Sequence, residues 1–157
     1  VNNGNNDCIF LNSSDCWRIA NLQIDGNKAN QSGKSFGIIL QGCSDCIVEG
    51  CHIHDCTYAA ISLGAQSSRN RIVYNQTEDC GTDFRIGYGI VCREISTANV
   101  IHGNSVGGNA KNQIELSEGA VENIVSSNCL SDKGLRSQMC IIVFEASGKN
   151  LIIGNTI

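Results

Sequence analysis

The 157-residue chain contains no proline, and this absence is the first constraint on its fold. A strand paired on both sides needs the backbone N–H that proline lacks, so a fold built from interior strands excludes proline. Glycine occupies 17 positions, and glycine and asparagine accept the left-handed backbone of tight corners. Apolar residues show no sustained helical period. The composition therefore favours many short strands joined by tight turns.

Charge is also scarce. Only 17% of the residues are charged, and the formal net charge is −4. A nucleic-acid partner would require a basic face, so we expect none. No apolar run is long enough to span a bilayer and no signal peptide is recognisable, so no membrane partner is expected. Because the chain begins at Val1 rather than at Met, we expect residues 1–157 to be a single domain taken from a longer protein.

Two short patterns recur along the chain. An eight-residue block recurs at 46–53, 70–77, 99–106, 123–130 and 150–157, and its first and sixth positions are asparagine in the last four copies and cysteine in the first. An apolar-x-apolar triplet recurs between the blocks, at Ile38/Leu40, Ile61/Leu63, Ile90/Cys92, Ile114/Leu116 and Ile141/Val143. Alternation of this kind indicates a strand with one buried face.

The spacing of these patterns predicts a coil. The gaps within the block and from each triplet to the next block are nearly constant, whereas the gap from block to triplet varies. This describes a turn of three short strands, with turns stacked about 4.8 Å apart. A left-handed hexapeptide helix would need a strict hexapeptide period and is excluded. The prediction is an all-β fold, a right-handed parallel β-helix (solenoid) of about six coils with three short strands per coil.

The ten cysteines allow two interpretations. One stretch of the chain has the residue types and the spacing of a zinc site. Its candidate ligands are Cys43, Cys46, Cys51, His52, His54, Asp55 and Cys56. However, Cys46 and Cys51 take block positions that other copies give to asparagine. We therefore favour small core residues in stacked ladders and predict no metal site here. Cys56 and Cys80 are expected near one strand spacing apart, within reach of a disulfide.

The three longest gaps fall at one corner of the predicted coil, at residues 25–37, 78–89 and 131–140. Insertions confined to one corner build a wall beside one face, which is often the binding face. Aromatic side chains can stack on sugar rings, and Lys or Arg can pair with carboxylates. The candidate binding residues are Lys28, Phe36, Asp83, Tyr88, Lys133 and Arg136. Tolerated surface loops are the alternative interpretation, since loop insertions cost little.

The Asn-x-Ile-x-x-Asn blocks resemble the repeats of the pectate-lyase-like superfamily over nearly the whole chain. That superfamily includes pectate lyases, polygalacturonases, alginate lyases and epimerases, and phage tailspikes. The resemblance implies the fold rather than one chemistry. It makes calcium the one cofactor to consider, near Glu115/Glu118/Glu122 or Glu78/Asp79/Asp83, although solvated acidic surface is our preferred interpretation. Tailspikes of this fold are trimers, so the resemblance keeps a homo-oligomer open.

A narrower resemblance concerns the mannuronan C-5 epimerases. The stretch 22–27 followed by Ser32-Gly33-Lys34 is similar to the segment that carries a catalytic lysine in that family. Tyr58 matches the family's tyrosine one coil later, but Ile61 and Leu63 stand where the family has Asp and His. The resemblance thus leaves Lys34 and Tyr58 to bind a uronate or to abstract the proton α to its carboxylate, as polysaccharide lyases do. With Arg85, these are the predicted catalytic residues.

Several outward strand positions are apolar, among them Ile39, Val91 and Ile142. Apolar stripes of this kind usually meet another subunit or a further segment of chain. The predicted function is that of an extracellular carbohydrate-active β-helix that binds or cleaves an acidic polysaccharide. The alternative is a non-catalytic shaft or adhesin module of a virion or cell surface. Convergence of Lys, Arg and Tyr in one groove would favour the first function.

Overall fold

A computed structural model describes residues 7–83, 85–131 and 139–157 as a parallel β-solenoid. Within these residues, 17 short strands form three parallel sheets, and each coil gives one strand to each sheet. The predicted coil of three short strands is confirmed. The described residues form five complete coils and the first two strands of a sixth, which agrees with the predicted number.

The strands follow one another in the order sheet 1, sheet 2, sheet 3 within every coil. Sheet 1 consists of β1 (Ile9–Asn12), β4 (Phe36–Gln41), β7 (Ala59–Gly64), β10 (Tyr88–Cys92), β13 (Asn112–Leu116) and β16 (Met139–Val143). Sheet 2 consists of β2 (Arg18–Ala20), β5 (Ile47–Glu49), β8 (Arg71–Val73), β11 (Val100–His102), β14 (Ile124–Ser126) and β17 (Leu151–Ile153). Sheet 3 consists of β3 (Gln23–Asp25), β6 (His52–His54), β9 (Gln76–Glu78), β12 (Ser105–Gly107) and β15 (Cys129–Ser131).

The three long insertions connect sheet 3 to sheet 1, at the corner that the sequence predicted. They join β3 to β4, β9 to β10 and β15 to β16. The first contains a single turn of 3₁₀ helix, Lys28–Asn30. Among the described residues, no helix has the length and apolar character that crossing a membrane requires.

The core is a column of stacked apolar side chains along the axis of the rod. The triplet residues pair in register from coil to coil, as in Ile38↔Ile61 and Ile61↔Ile90. Isoleucine and leucine at these positions in the central coils are completely buried. Their branched side chains fit a pleated surface packed on one side, which explains why alternation marked these strands in the sequence.

Two ladders of asparagine run beside the core, at the two block positions that the repeat defines. One ladder consists of Asn70, Asn99, Asn123 and Asn150, and the other of Asn75, Asn104, Asn128 and Asn155. In each, an amide nitrogen donates to the amide oxygen of the next coil, at distances of 2.9 to 3.1 Å. Cys46 and Cys51 take the first positions, and their backbone N–H groups donate to Asn70 and Asn75.

The cysteines behave as core residues rather than as a zinc cluster. Cys43, Cys46, Cys51 and Cys56 are buried inside the coil, while His52 and His54 alternate with the buried Ile53 and so point outward. All ten cysteines lie in the described residues, and none of them forms a disulfide there. The interaction of Cys56 with the neighbouring Cys80 thiol, together with burial, raises the pKa of Cys56. Cys56 and Cys80 each follow the in-register pair His54↔Glu78 by two residues, so they are neighbours on adjacent coils, as predicted.

Two of the apolar outward positions of sheet 1, Ile39 and Val91, are covered by other side chains of the same chain, whereas Phe10 of β1 is half exposed. Ile39 and Val91 belong to a second hydrophobic cluster, outside the coil, with Phe36, Ala59, Tyr58 and Tyr88. Ile86 of the second insertion packs against this cluster. The sequence-based expectation of a subunit at this stripe is therefore unnecessary for Ile39 and Val91, because the corner insertion supplies their cover.

Candidate functional site

Three aromatic rings form a row on the outward side of sheet 1. Phe36, Tyr58 and Tyr88 come from successive coils, and Phe36 and Tyr88 both pair with Ala59 of the strand between them. The ring centroids of Phe36 and Tyr58 are 4.8 Å apart, and those of Tyr58 and Tyr88 are 5.3 Å apart. These tilted contacts lie in the range where aromatic pairs attract each other. We call these three residues the aromatic row.

Two cations flank the middle ring of the aromatic row. The Lys34 ammonium lies 4.7 Å from the Tyr58 ring centroid, and the Arg93 guanidinium carbon lies 5.4 Å from it. Arg93 also donates a hydrogen bond of 3.0 Å to the Tyr58 hydroxyl oxygen. The predicted pairing of Lys34 with Tyr58 is thus present, because the coil brings the end of the first insertion beside the strand of the next coil.

A third cation, Lys111, contacts Tyr88, the last ring of the aromatic row. Lys111 donates a hydrogen bond of 2.7 Å to the Tyr88 hydroxyl, and its ammonium lies 4.8 Å from that ring's centroid. The Glu115 carboxylate lies 3.7 Å from the same ammonium. Asn112 and Ser117 donate hydrogen bonds of 2.7 and 3.1 Å to Glu115. This carboxylate is almost completely buried, so its bonds satisfy a charge that would otherwise be costly there.

The environment sets the protonation of these groups. Burial raises the pKa of Tyr88, and the hydrogen bond from Lys111 offsets part of that rise. At Lys111 burial favours the neutral amine, but the bond to Tyr88 and the charge of Glu115 outweigh it and raise the pKa. At Arg93 burial is likewise outweighed, chiefly by Tyr58, and the pKa is raised. Lys111 and Arg93 therefore remain cations near neutral pH.

The rings themselves are shielded. Phe36, Tyr58 and Tyr88 are only 5 to 8% exposed, whereas Lys34 is exposed and Arg93 and Lys111 are partly exposed. A sugar ring approaching this face would meet the charged ends first. The predicted stacking of sugars on Phe36 and Tyr88 would require those neighbours to move aside, so the surface is better suited to binding anions.

An open cleft of about 280 Å³ lies beside the aromatic row, between the first and second insertions. Lys34, Thr57, Thr82 and Ile86 are among its lining residues. Lys34 lines the cleft and also lies over the Tyr58 ring, so residues of the first and second insertions form a groove next to the aromatic row.

Other predicted site residues lie elsewhere. Lys28 lies in a separate cleft with Asp25 and Asp55. Asp83 and Arg85 are exposed on a tight turn, in which the Arg85 backbone N–H donates to the Asp83 carboxylate at 2.7 Å. The predictions for Lys133 and Arg136 fall outside the described residues. The roles predicted for all these residues remain predictions.

Sequence reasoning missed Arg93 and Lys111 and gave Glu115 no part in this site. Their positions relative to the triplet carry the missing signal. Arg93 directly follows the triplet Ile90/Cys92, and Glu115 is the outward residue of the triplet Ile114/Leu116. Aligning the triplets places the outward residues of successive coils side by side. The composition of the insertions could not identify Arg93, Lys111 or Glu115, because these residues lie on or next to the strands.

The acidic groups considered for calcium do not form a cage. Glu115 is held by Asn112, Ser117 and Lys111, while Glu122 pairs with Lys149 at 3.9 Å. In the part of the chain that the structure describes, neither acidic group brings three metal-ligand atoms together. Calcium takes six or more oxygen ligands, so the residues present at these two places do not fit it.

Comparison with known proteins agrees with this architecture. The family model described as "right handed beta helix region" matches residues 1–157, the whole chain. A search of curated proteins found no match. The three parallel sheets, the stacked triplets and the full-length family match lead to one conclusion. The chain belongs to the right-handed β-helix family.

Proposed function

We propose that the outward side of sheet 1 binds an acidic polysaccharide. The observation that carries this proposal is the set of three cations, Lys34, Arg93 and Lys111, arranged over the aromatic row. Partly desolvated cations attract carboxylates more strongly than fully hydrated ones, because the effective dielectric constant near them is lower. Cations next to buried aromatic rings are therefore a suitable surface for a polymer that carries carboxylates.

The shape of the surface supports a polymer rather than a single small anion. The cations come from the second, fourth and fifth coils, so they follow the long axis of the rod. A polyuronate carries one carboxylate per sugar and could contact several of these cations at once. Simultaneous contacts raise the overall affinity well above that of a single contact. Such polymers occur outside cells, so we propose an extracellular, cell-surface or virion location.

The chemistry that these residues could perform is elimination rather than hydrolysis. Glycoside hydrolases generally use two carboxyl groups that flank the bond. On the strands of sheet 1 that the structure describes, Glu115 is the one outward carboxylate, and it is buried and bound to Lys111. Glu94, which follows β10, lies 3.8 Å from Arg93 and accepts from the Ala65 N–H. Elimination instead needs cations that neutralise the uronate carboxylate and a group that moves a proton.

Tyr58 is the proposed proton carrier. Lys34 and Arg93 would bind the uronate carboxylate, which makes the proton on the adjacent carbon more acidic. Tyr58, as the phenolate, would take that proton and then return it to the leaving oxygen as the bond from the β carbon to that oxygen breaks. A carbon–carbon double bond remains in the product. Because Arg93 donates to the phenolic oxygen, negative charge there would be stabilised during the reaction.

Ultraviolet absorbance of the unsaturated product, formed from a panel of polyuronates, tests this chemistry. Tyr58→Phe keeps the ring in the aromatic row but removes the hydroxyl, so we expect kcat to fall by about 100-fold or more. Arg69→Gln is the control, because Arg69 pairs with Asp45 at 2.7 Å on an exposed turn. Product formation at the same rate by Tyr58→Phe would exclude Tyr58 as the proton carrier.

A non-catalytic shaft or adhesin module is the second candidate function. The observation that favours it is the burial of the aromatic row, which leaves only an open cleft beside Lys34. On this account the three cations stabilise the face by covering its rings. Binding of polyuronate without any product would support an adhesin, and absence of both binding and product would support a shaft.

A further inference from the structure

A second polar cluster lies on the outward side of sheet 3, away from the aromatic row. Asp25 of β3 and His54 of β6 are paired in register on adjacent coils. Both point outward, because the preceding residues, Ile24 and Ile53, are buried in the core. Asp55 follows His54 directly. One ligand atom from each of Asp25, His54 and Asp55 lies within 4.8 Å of the others.

We propose that Asp25, His54 and Asp55 bind a divalent transition-metal ion such as Zn²⁺, Co²⁺ or Mn²⁺. The ligand types define this class. An imidazole nitrogen suits first-row transition metals, whereas calcium and magnesium take oxygen ligands. Two carboxylates and one imidazole give three protein ligands, which is the number that leaves a position open for solvent or substrate.

The arrangement needs little change to close around an ion. A tetrahedral ion at about 2.1 Å from each ligand holds the ligand atoms about 3.4 Å apart. The His54 Nδ1 and Asp55 Oδ2 atoms are already 3.0 Å apart. Asp25 lies within the 4.8 Å limit of both, and the coil holds it there through the pairing of β3 with β6. Completing the set would need side-chain rotation in which the ion replaces the His54–Asp55 hydrogen bond, and Asp25 also accepts from the Asn27 N–H at 2.7 Å.

Lys28, a cation of the chain itself, pairs with this cluster, which indicates that the cluster attracts positive charge. The Lys28 ammonium lies 3.4 Å from Asp55 Oδ1 and also donates a hydrogen bond to the Asp79 carbonyl oxygen. Lys28, Asp25 and Asp55 line an open cleft of about 290 Å³, through which an ion could reach the cluster. A metal ion would displace the Lys28 ammonium.

Titration of the intact protein with Co²⁺ tests the proposal, because its visible spectrum separates nitrogen and oxygen ligands from thiolates. We expect one Co²⁺ to bind with bands of nitrogen and oxygen ligation. Removing a partner outside the ligand set typically lowers metal affinity by 10- to 100-fold, so His54→Ala and Asp25→Asn should each cost about 100-fold or more. Lys28→Met should tighten binding, because the competing ammonium is gone.

His102→Ala is the matched control, since His102 lies on sheet 2 and bonds Ser126 at 2.9 Å. Its affinity for Co²⁺ should equal that of the unaltered protein. Asp25→Asn keeps the size of the side chain, so it tests the role of Asp25 as a ligand even if His54→Ala folds poorly. Equal affinity in Asp25→Asn, weaker binding in Lys28→Met, or bands of thiolate ligation alone would overturn the proposal.

Discussion

At the scale of single residues, asparagine side chains provide the hydrogen bonds that link each coil to the next. Asn104 is buried, and its side chain accepts from the backbone and the amide of Asn75. It also donates to the Ile72 carbonyl and to Asn128. No other residue type offers a short amide with both a donor and an acceptor. This explains why the block positions were the clearest signal in the sequence.

Replacing Asn104 by Ala should therefore be severe. The change removes the acceptor of the Asn75 backbone N–H and a donor to the Ile72 carbonyl, while the Asn75 amide keeps Val48 and Asn128 Oδ1 keeps the backbone N–H of residue 104. Each unsatisfied buried group costs about 1–3 kcal/mol. We expect the free energy of unfolding to fall by about 3–5 kcal/mol, at the upper end for single substitutions. Urea unfolding measures it. Asn30→Ala, at an exposed asparagine of the first insertion, should change stability by less than about 0.5 kcal/mol, and equal losses would contradict the role of the ladder.

The buried thiol of Cys92 predicts that the folded protein loses stability at alkaline pH. Burial raises the pKa of the Cys92 thiol from its ordinary value of 9.0 to about 12. In the unfolded chain this thiol loses its proton near pH 9, whereas in the folded protein it keeps the proton until about pH 12. The folded state then binds more protons than the unfolded state, so stability must fall as pH rises through this window.

Urea unfolding in the presence of reductant at pH 8, 9 and 10 measures this slope. One such proton contributes up to about 1.4 kcal/mol per pH unit. Cys92→Ala should be less stable at pH 8, because a cavity forms in the core, but its stability should fall less steeply above pH 9. An unchanged slope in Cys92→Ala would show that other groups, such as Cys56 and Tyr88, cause the alkaline loss.

At the scale of elements, the ladders begin where cysteine replaces asparagine. Cys51 already gives its backbone N–H to Asn75 at 3.0 Å, but its thiol lies 4.0 Å from the Ile19 carbonyl oxygen. In later coils an asparagine amide fills that space and donates to the corresponding carbonyl, as Asn75 does to Val48 at 2.9 Å. The second coil therefore lacks a rung that its geometry could hold.

Cys51→Asn should extend the ladder by one rung. The new amide can donate to Asn75 and to the Ile19 carbonyl, so we expect stability to be unchanged or raised by about 1 kcal/mol. Cys51→Ala is the control, and it should be destabilising because it only removes core volume. Thermal unfolding of both variants decides the matter. If Cys51→Asn were the less stable of the two, the ladder would not continue into this coil.

The elements also show what the sequence could and could not predict. Alternation in the triplets identifies which strand residues point inward, because the side-chain period of a strand is two residues. It does not identify what covers the outward residues. Ile39 and Val91 suggested a subunit interface, yet Tyr58, Tyr88 and Ile86 of the same chain cover them. That cover depends on the path of the insertions, and no periodicity encodes it.

For the candidate site, Lys34 and Tyr58 were found by sequence and lie together, whereas Arg93 and Lys111 were not found. The reason is physical. Residues far apart in sequence become neighbours on the outward face through stacking of coils, as Arg93 and Tyr58 do across 35 positions. Arg93 becomes visible only when the register of each triplet is known. The residue types in the insertions could not supply that register.

At the scale of the whole molecule, the coil separates two surfaces with different chemistry. Sheet 1 presents cations over buried rings, and sheet 3 presents imidazole and carboxylate groups. Each surface is supported by the same column of apolar residues, since inward and outward side chains alternate on every strand. On our two proposals, the rod would bind a polymer along one side and an ion on another, in both cases through outward side chains rather than those of the core.

Measuring how polyuronate binds to the outward side of sheet 1 is the most direct test of this account. Lys34→Met and Lys111→Met keep the apolar stems on the rings but remove the charges, and Lys149→Met, at an exposed lysine paired with Glu122, is the control. Isothermal titration should show about 10-fold weaker binding for each of the first two variants, about 1.4 kcal/mol apiece. The control should bind as the unaltered protein does, and added salt should weaken all binding. Equal affinity in all three variants would show that the outward side of sheet 1 is not the binding face.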